Sequence, residues 1–355
     1  AFVFISITQN RNAVCEILQK EGIDFVGSTS SGEFIDGHES EGGIAIMLLD
    51  IRRSYYRILT EEIGLRTLGD AASHLANEAL QQFAKPALLL FSSMLSADGR
   101  MIDGEKLIRF IEEVSGPDIT LFGGMAGDDI TFTGTYVFTN THATDYGMTA
   151  VVLDEEKISL HGMAVSGWKP MGVFRNITKS DGSLIYSVDG QPALEMYLRF
   201  LGKEVTVADD QVKFFDSIGV HYPLQIEREG REPKMCGPIG YDREKNALIC
   251  ESDVPQGSRF RFSTPPDFDI IETVIQKAGE LKMNTQAEAD ALLIFSCAGR
   301  LSALGPMAVQ ENEGLAGIWK VPMAGFYTYG EFGKGIDGKH EFHSTTNSWV
   351  ALKEK

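Results

Sequence analysis

The chain has 355 residues, 43% of them hydrophobic, and fifty acidic against thirty-two basic side chains give it a net charge of −18. This length predicts two domains or a domain built from repeats, and the acidic surface argues against nucleic-acid binding. No apolar run is long enough for a membrane span, no signal peptide is evident, and four scattered cysteines without a CxxC pair predict a reducing cytoplasm.

The amino-terminal segment predicts a strand at 2–7 and a helix at 12–22. The stretch "FVGSTSSGEF" at 25–34 then enters a glycine turn that ends in a Gly–acid pair. A polar, glycine-containing stretch follows and leads into a further strand at 42–50. This order of elements returns twice later in the chain.

The middle segment opens with a helical pattern at 68–80 and a continuous apolar strand, "ALLLFSS", at 87–93. An apolar run of this kind is typical of a strand buried on both faces. A helix at 104–114, the turn "LFGGMAGDD" at 121–129 and a strand at 146–155 follow. The order of strand, helix, strand, turn and strand is thus the same as in the first segment.

An insertion at about 155–265 contains short strands that predict a mainly antiparallel layer. One helix opens at Pro192 and stops at Gly202, as proline and glycine usually do at helix ends. The chain turns polar after this helix. We therefore predict two domains, 1–205 and 206–355.

The carboxyl-terminal segment repeats the pattern for a third time. After a helix at 269–282 come the strand "ALLIFSC" at 291–297, a helix at 308–319, the turn "VPMAGFYTYGE" at 321–331 and a strand at 347–354. The predicted fold is α/β, with mixed sheets built from internally repeated strand–helix–strand–turn–strand units and a mainly antiparallel insertion.

The glycine turns invite comparison with phosphate-binding loops. Gly123 and Gly124 belong to "GGMAGDD", which lacks the lysine of a P-loop, and Asp128 and Asp129 would repel a phosphate. These two carboxylates could bind a cation or a ligand amine. The alternative is that they make local turn hydrogen bonds.

Cys297 and Arg300 follow directly on the third buried strand, in "FSCAGR". Ligands of α/β sheets gather beyond the carboxyl ends of strands, so Arg300 could bind a carboxylate with its two parallel donors. Cys297 could be a nucleophile if its thiolate were stabilised. Packing is the alternative for the cysteine, because a small residue, Ser93, occupies the matching position in the second segment.

The aromatic residues of "MAGFYTYGEFG" occur only in the third turn. In a strand, Tyr327 and Tyr329 would point to one face and Phe326 to the other. The two phenols beside Glu331 could line a ligand pocket or could form a cross-strand ladder. The sequence leaves both alternatives open.

The histidines form no paired metal motif. His340 and His343 lie three residues apart, which is too little for a closed metal site, although one histidine would suffice as an axial haem ligand. No standard catalytic motif is present. We therefore predict neither a metal site nor an enzyme.

Together these segments resemble the FIST family of sensory proteins, which consist of FIST-N and FIST-C parts. The resemblance covers nearly the whole chain and assigns 1–205 to a FIST-N-like domain and 206–355 to a FIST-C-like domain. The matching pieces, in the order of the family, are 25–33, 121–129, 167–202, 295–300, 323–333 and 342–346.

The resemblance implies a signal-input domain that binds a small ligand, with amino acids proposed for the family at large. Some bacterial members resemble haem-carrying nitric-oxide sensors. It further implies a separate signalling partner such as a histidine kinase, a cyclic-dinucleotide enzyme or a chemotaxis receptor. The chain departs from the family at 343–346, where it has His-Ser-Thr-Thr in place of a His-Asn-Gln-Thr run.

Our hypothesis is a cytoplasmic sensor of an amino-acid-like metabolite, with a haem-based nitric-oxide sensor and a Cys297-dependent enzyme as alternatives. Arg300 would bind the ligand carboxylate and Glu331 or Asp128 its ammonium group. The tyrosines would contact the body of the ligand. The predicted ligand-binding residues are Gly123, Gly124, Asp128, Asp129, Cys297, Arg300, Tyr327, Tyr329, Glu331 and His343.

Overall fold

The computed structural model describes residues 1–202, 214 and 218–355. Its helices begin at side-chain caps where the sequence supplies them: the Thr67 hydroxyl accepts from the amide of Asp70, whose carboxylate accepts in return from the amide of Thr67. The helices are α1 (Arg11–Lys20), α2 (Leu68–Leu80), α3 (Gly104–Ser115), α4 (Ala193–Phe200), α5 (Phe268–Thr285), α6 (Ala298–Leu304) and α7 (Ala308–Trp319), with 3-10 turns at Arg53–Tyr55 and Gly305–Met307.

The first eleven strands contain the predicted apolar runs of the first two segments. Every residue of the amino-terminal strand is buried, as expected for a strand that is covered on both faces. These strands are β1 (Phe2–Ser6), β2 (Val26–Ser30), β3 (Glu33–Ile35), β4 (His38–Ser40), β5 (Ile44–Met47), β6 (Tyr56–Glu62), β7 (Pro86–Ser92), β8 (Thr120–Met125), β9 (Val137–Thr139), β10 (Ala143–Thr144) and β11 (Gly147–Asp154).

The remaining strands comprise the insertion and the third segment. Cys297, the last residue of "ALLIFSC", caps helix α6, which the sequence pattern did not predict. These strands are β12 (Ile158–Val165), β13 (Pro170–Asp181), β14 (Leu184–Val188), β15 (Gln191–Pro192), β16 (Leu224–Ile226), β17 (Lys234–Cys236), β18 (Pro238–Asp242), β19 (Ala247–Cys250), β20 (Arg259–Ser263), β21 (Ala291–Cys297), β22 (Met323–Thr328), β23 (Glu331–Lys334), β24 (His340–His343) and β25 (Asn347–Glu354).

Three strand pairs follow one pairing pattern. Strands β1 and β2, β7 and β8, and β21 and β22 are parallel, and β5, β11 and β25 run antiparallel beside the first strand of each pair. These pairs lie in three mixed sheets with the orders β10-β9-β2-β1-β5, β24-β23-β8-β7-β11-β6 and β12-β25-β21-β22-β3-β4. The α/β class with mixed sheets is confirmed, while the internal repeat itself stays a prediction.

The three sheets exchange strands and share one core. Strand β9 pairs with β2, β23 with β8, and β3 with β22, so each sheet extends into the next segment of the chain. Phenylalanines meet between the sheets: Phe4 stacks on Phe326 at a centroid distance of 4.6 Å, and Phe91 meets Phe295 edge-on at 5.8 Å. This aromatic core holds the carboxyl ends of the parallel strands in fixed positions.

The insertion forms an antiparallel sheet of eight strands, as predicted, except that β12 pairs with β25 in a mixed sheet. The sheet is nearly closed into a barrel, because its end strands, β17 and β18, are separated by only Gly237. The predicted boundary at 205/206 lies outside the described residues. Within the described part of the chain, no helix is long and apolar enough to cross a membrane.

Candidate functional site

A small cavity lies where the parallel strands β7, β21 and β22 end, next to one edge of the barrel. Ligands of α/β proteins bind at such strand ends. Its volume is about 50 Å³, and we call it the inner cavity. It is lined by Met94, Phe132, Gly219, Val220, Gly237, Ile239, Glu251, Cys297, Ala298, Gly299, Thr328, Tyr329 and Thr345.

Two carboxyl groups lie close to the inner cavity: the half-buried Glu251 lines it, and the buried Glu331 lies behind the lining residue Thr328. Glu331, which is 0% exposed, accepts from the Thr328 hydroxyl at 2.5 Å and from the Thr346 hydroxyl at 2.8 Å. Burial and, to a smaller degree, the nearby Glu251 raise its pKa to about 8. Burial also raises the pKa of Glu251, whose carboxylate accepts from the amide of Gly237 at 2.5 Å. Because a desolvated negative charge is unfavourable, each of these carboxyl groups tends either to keep its proton or to bind a nearby cation.

The Cys297 thiol faces the same cavity and is 8% exposed. Burial, followed by the negative charges of Glu331 and Glu251, raises its pKa well above the usual value. The thiol is therefore protonated at neutral pH, whereas a nucleophilic cysteine needs a stabilised thiolate. This environment disfavours the alternative of a Cys297-dependent enzyme.

Two segments beside the inner cavity have left-handed backbone at residues other than glycine. They are Asp129, Ile130 and Phe132, with φ of 56°, 59° and 52°, and Thr345, with φ of 53°. This conformation is a genuine outlier for β-branched residues such as Ile130 and Thr345. Strained backbone of this kind concentrates at ligand sites and switches.

The predicted turn aspartates have partners within the protein. Asp128, which is fully buried, accepts from the amides of residues 132–134 at 3.1, 2.6 and 3.0 Å. The carboxylate of Asp129 accepts from the Ser6 hydroxyl at 2.5 Å. The alternative of local hydrogen bonds therefore holds for Asp128, which shapes the Phe132 wall of the inner cavity.

The structure assigns Arg300 a different role from the expected one. Its Nε donates to Glu311 at 3.1 Å, and its Nη1 donates to the carbonyls of Ser166 and Thr345 at 2.5 and 3.0 Å. Its Nη2 donates to the second oxygen of Glu311, and the guanidinium lies over the ring of Trp168. With these partners and 0% exposure, Arg300 has no donor pair left for a ligand carboxylate.

The two tyrosines point to different acidic partners. The Tyr327 hydroxyl donates to Glu39 at 3.0 Å and accepts from Asn312 at 3.3 Å, away from the inner cavity. The Tyr329 hydroxyl donates to Asp128, and only this tyrosine lines the inner cavity. The expected common cleft of Arg300, both tyrosines and Glu331 is therefore divided between a buried network and the cavity.

The predicted glycines allow close strand packing. A Cβ at Gly123, where φ is +144°, would lie 1.8 Å from the Leu90 carbonyl oxygen. At Gly124 it would lie 2.7 Å from the side chain of Thr328. Both glycines thus let β8 approach its neighbours, and contact of either with a ligand stays a prediction.

Sequence comparisons identify the family of this chain. A FIST N domain profile matches residues 1–191 and a FIST C domain profile matches residues 193–334. The chain belongs to the FIST family. FIST domains are sensory domains of signal transduction, which agrees with the resemblance carried by the glycine turns.

Two relatives of this FIST chain are described as uncharacterised proteins. A protein of Methanocaldococcus jannaschii is 25% identical over 212 residues, which are 54% of this chain and 38% of the relative. A protein of Mycobacterium bovis is 26% identical over 195 residues, which are 51% of this chain and 47% of the relative. The FIST chain thus spans less than half the length of these curated relatives.

A second concavity of the FIST chain, the outer cleft, has a volume of about 300 Å³. It shares the 343–346 segment with the inner cavity, since Thr345 lines the cavity and its three neighbours line the cleft. His343 Nε2 lies 3.1 Å from the carbonyl oxygen of Gly333, and burial lowers the pKa of this histidine to about 4. The cleft is lined by residues 164–169, Gln225, Arg228, 232–235, Thr273, 335–337, 341–344 and Thr346.

Sequence reasoning missed Glu251 and Val220. Glu251 directly follows the apolar strand β19, and an acidic residue at the end of such a strand is the signal that was overlooked. Val220 carries no signal, because a single aliphatic residue in a short stretch without regular periodicity has many explanations. It enters the site only because the nearly closed barrel packs against the end of β21.

Proposed function

We propose that this FIST chain is a signal-input protein that binds an amino-acid-like metabolite, with the ligand's ammonium group in the inner cavity. The ligand state would be passed to a separate signalling protein, such as a histidine kinase, a cyclic-dinucleotide enzyme or a chemotaxis receptor. The sensory role follows from the family, and the ligand and partner classes are our proposal. No catalysed reaction is proposed.

Two carboxyl groups carry this proposal: Glu251, which lines the inner cavity, and Glu331, which lies behind the lining residue Thr328. Burial raises the pKa of both groups, and the charge of Glu251 raises that of Glu331 further, so the site offers negative potential to any cation that can replace the Glu331 proton. Among the described residues, no lysine or arginine lines the inner cavity. A ligand ammonium would supply the missing charge and donate hydrogen bonds to the carboxylates.

The size of the inner cavity limits what can enter it. A volume of about 50 Å³ is roughly the space of three or four waters, which suits a ligand head group but not a bulky side chain. The outer cleft, at about 300 Å³, lies at the lower limit for a whole small-molecule site. The ligand carboxylate requires a partner other than Arg300.

Ligand binding at the inner cavity would change the conformation of the rest of the molecule through two strained segments. Asp129, Ile130, Phe132 and Thr345 have left-handed backbone that the folded state tolerates, so a small change in their contacts can release it. Thr345 is hydrogen-bonded through its carbonyl to Arg300, which ties the cavity to the buried Glu311 network. Through this coupling, ligand binding at the inner cavity would affect the network around Glu311, away from the cavity.

A thermal-shift screen of the purified protein against amino acids, primary amines and matched carboxylates tests the proposal. We expect stabilisation by one class of ammonium-bearing compound, lost in Glu251→Gln and in the cavity-filling Gly299→Val. Glu244→Gln, an exposed glutamate of the same barrel, is the control and should respond like the wild type. A hit that survives both cavity variants would overturn the proposed location, and a panel without any hit would overturn the ligand class.

Haem is a second candidate because His343 is held neutral and its Nε2 faces a backbone carbonyl, an arrangement that orients histidine ligands. Its surroundings fit haem poorly, since charged side chains such as Arg228 and Glu341 line the cleft. A Soret band after haem addition, lost in His343→Ala and kept in the exposed-site control His38→Ala, would support haem binding. An unchanged spectrum in the variant would remove His343 as the ligand.

A further inference from the structure

Three side chains that could share a metal ion meet on the surface between strand β6 and helix α2. One ligand atom each from Glu61, His74 and Glu78 lies within 4.8 Å of the other two. The Nδ1 atom of His74 is 2.9 Å from Glu61 Oε2 and 4.0 Å from Glu78 Oε2. The inner cavity involves none of these residues.

The fold holds this group on rigid elements. His74 and Glu78 are four residues apart and therefore lie on one face of α2, one turn from each other. Glu61 is the penultimate residue of β6 and pairs with Met148 of β11. A site whose ligands come from a capped helix and a paired strand needs little reorganisation on binding.

Glu61 is the feature that points to a ligand. This glutamate is 5% exposed, and its Oε1 makes no hydrogen bond, although Arg66 forms an ion pair with it. A buried carboxylate is normally paired with a cation or coordinates a metal, and the cation on Oε1 is a single arginine, Arg66. The side chain of Arg66 is 45% exposed, so it can move into solvent when another cation arrives.

We propose that Glu61, His74 and Glu78 bind a divalent transition-metal ion of the zinc class. One imidazole nitrogen and two carboxylates suit such borderline ions, and water would fill the remaining positions. The metal lies between His74 Nδ1, which binds it through the nitrogen lone pair, and the carboxylate oxygens of Glu61 and Glu78.

Calorimetric titration of Zn²⁺ into the chelator-treated full chain tests this site. We expect one site in the wild type, with affinity reduced more than tenfold in His74→Ala and in Glu78→Gln. The latter variant changes a surface residue and leaves the buried Glu61 in place. His38→Ala, which removes an exposed histidine of strand β4, should bind like the wild type. Equal binding by all variants, or no binding by the wild type, would overturn the proposal.

Co²⁺ as a second probe separates this site from the cysteines. Cys15, Cys236, Cys250 and Cys297 are free thiols and could bind zinc independently. A site made of one imidazole and two carboxylates gives cobalt absorption without a thiolate charge-transfer band. A strong thiolate band that persists in His74→Ala would assign the metal to a cysteine and overturn the proposal.

Discussion

Replacing Glu331 with glutamine removes a buried group whose charge the protein disfavours. The side chain keeps its shape, and its amide oxygen can accept from the amide and hydroxyl of Thr346, as the carboxylate does now. The new NH₂ group can donate to the Thr328 hydroxyl oxygen, which at present donates to Glu331. The substitution therefore changes the charge without leaving a buried polar atom unpaired.

The expected effect follows from the pKa of Glu331. Because its folded value of about 8 is above its ordinary value of 4.5, the unfolded chain loses this proton first as the pH rises. The free energy of unfolding of the wild type should thus decrease as the pH rises from 4.5 to about 8, by at most about 1.4 kcal/mol per pH unit. At pH 7 the decrease amounts to about 3 kcal/mol. Glu331→Gln lacks this penalty.

Urea unfolding of both proteins at about pH 5, 7 and 8.5 measures the difference. We expect Glu331→Gln to be nearly neutral at the lowest pH and more stable than the wild type at neutral and higher pH. The control is Glu313→Gln, an exposed glutamate of α7, which should show no such trend. A wild type and Glu331→Gln with parallel pH profiles would refute the raised pKa and the reasoning built on it.

Three further substitutions test other parts of the structure. Arg300→Met should destabilise the protein by about 3–5 kcal/mol, because it leaves the Glu311 carboxylate buried without its partner. Adding Glu311→Met should recover part of this loss, and urea unfolding measures both variants. In the native protein, iodoacetamide should modify Cys15 well before Cys297, as peptide mass spectrometry would show, since the Cys297 thiol is buried and protonated. His343→Asn should weaken the loss of stability as the pH falls from 6.5 toward 4, because the unfolded chain binds a proton there that the folded histidine, with a pKa of about 4, does not.

The fold could largely be predicted because its strands have strong local patterns. The runs at 87–93 and 291–297 are apolar at nearly every position, and the structure buries both. The partner of β12 could not be predicted, because pairing with β25 joins residues nearly two hundred positions apart. Helix α6 was missed since seven residues give too short a period to recognise.

The candidate site could be predicted only in part. The sequence placed Cys297 just past a buried strand; it is the last residue of β21, and its side chain lines the inner cavity. The partners of Arg300 could not be foreseen, because Glu311 approaches it across a helix and a turn and the sequence contains no pattern for such a pair. Ligand contact by the ten predicted residues stays a prediction until a ligand is found.

The central claim is that an ammonium group replaces a proton at the inner cavity. Calorimetric titration of the ligand from the screen, at pH 7 in buffers of different ionisation enthalpy, measures the protons released on binding. With a Glu331 pKa of about 8, we predict release of close to one proton and an affinity that rises with pH up to that value. Binding without proton release, and with the same affinity in Glu331→Gln, would contradict the account.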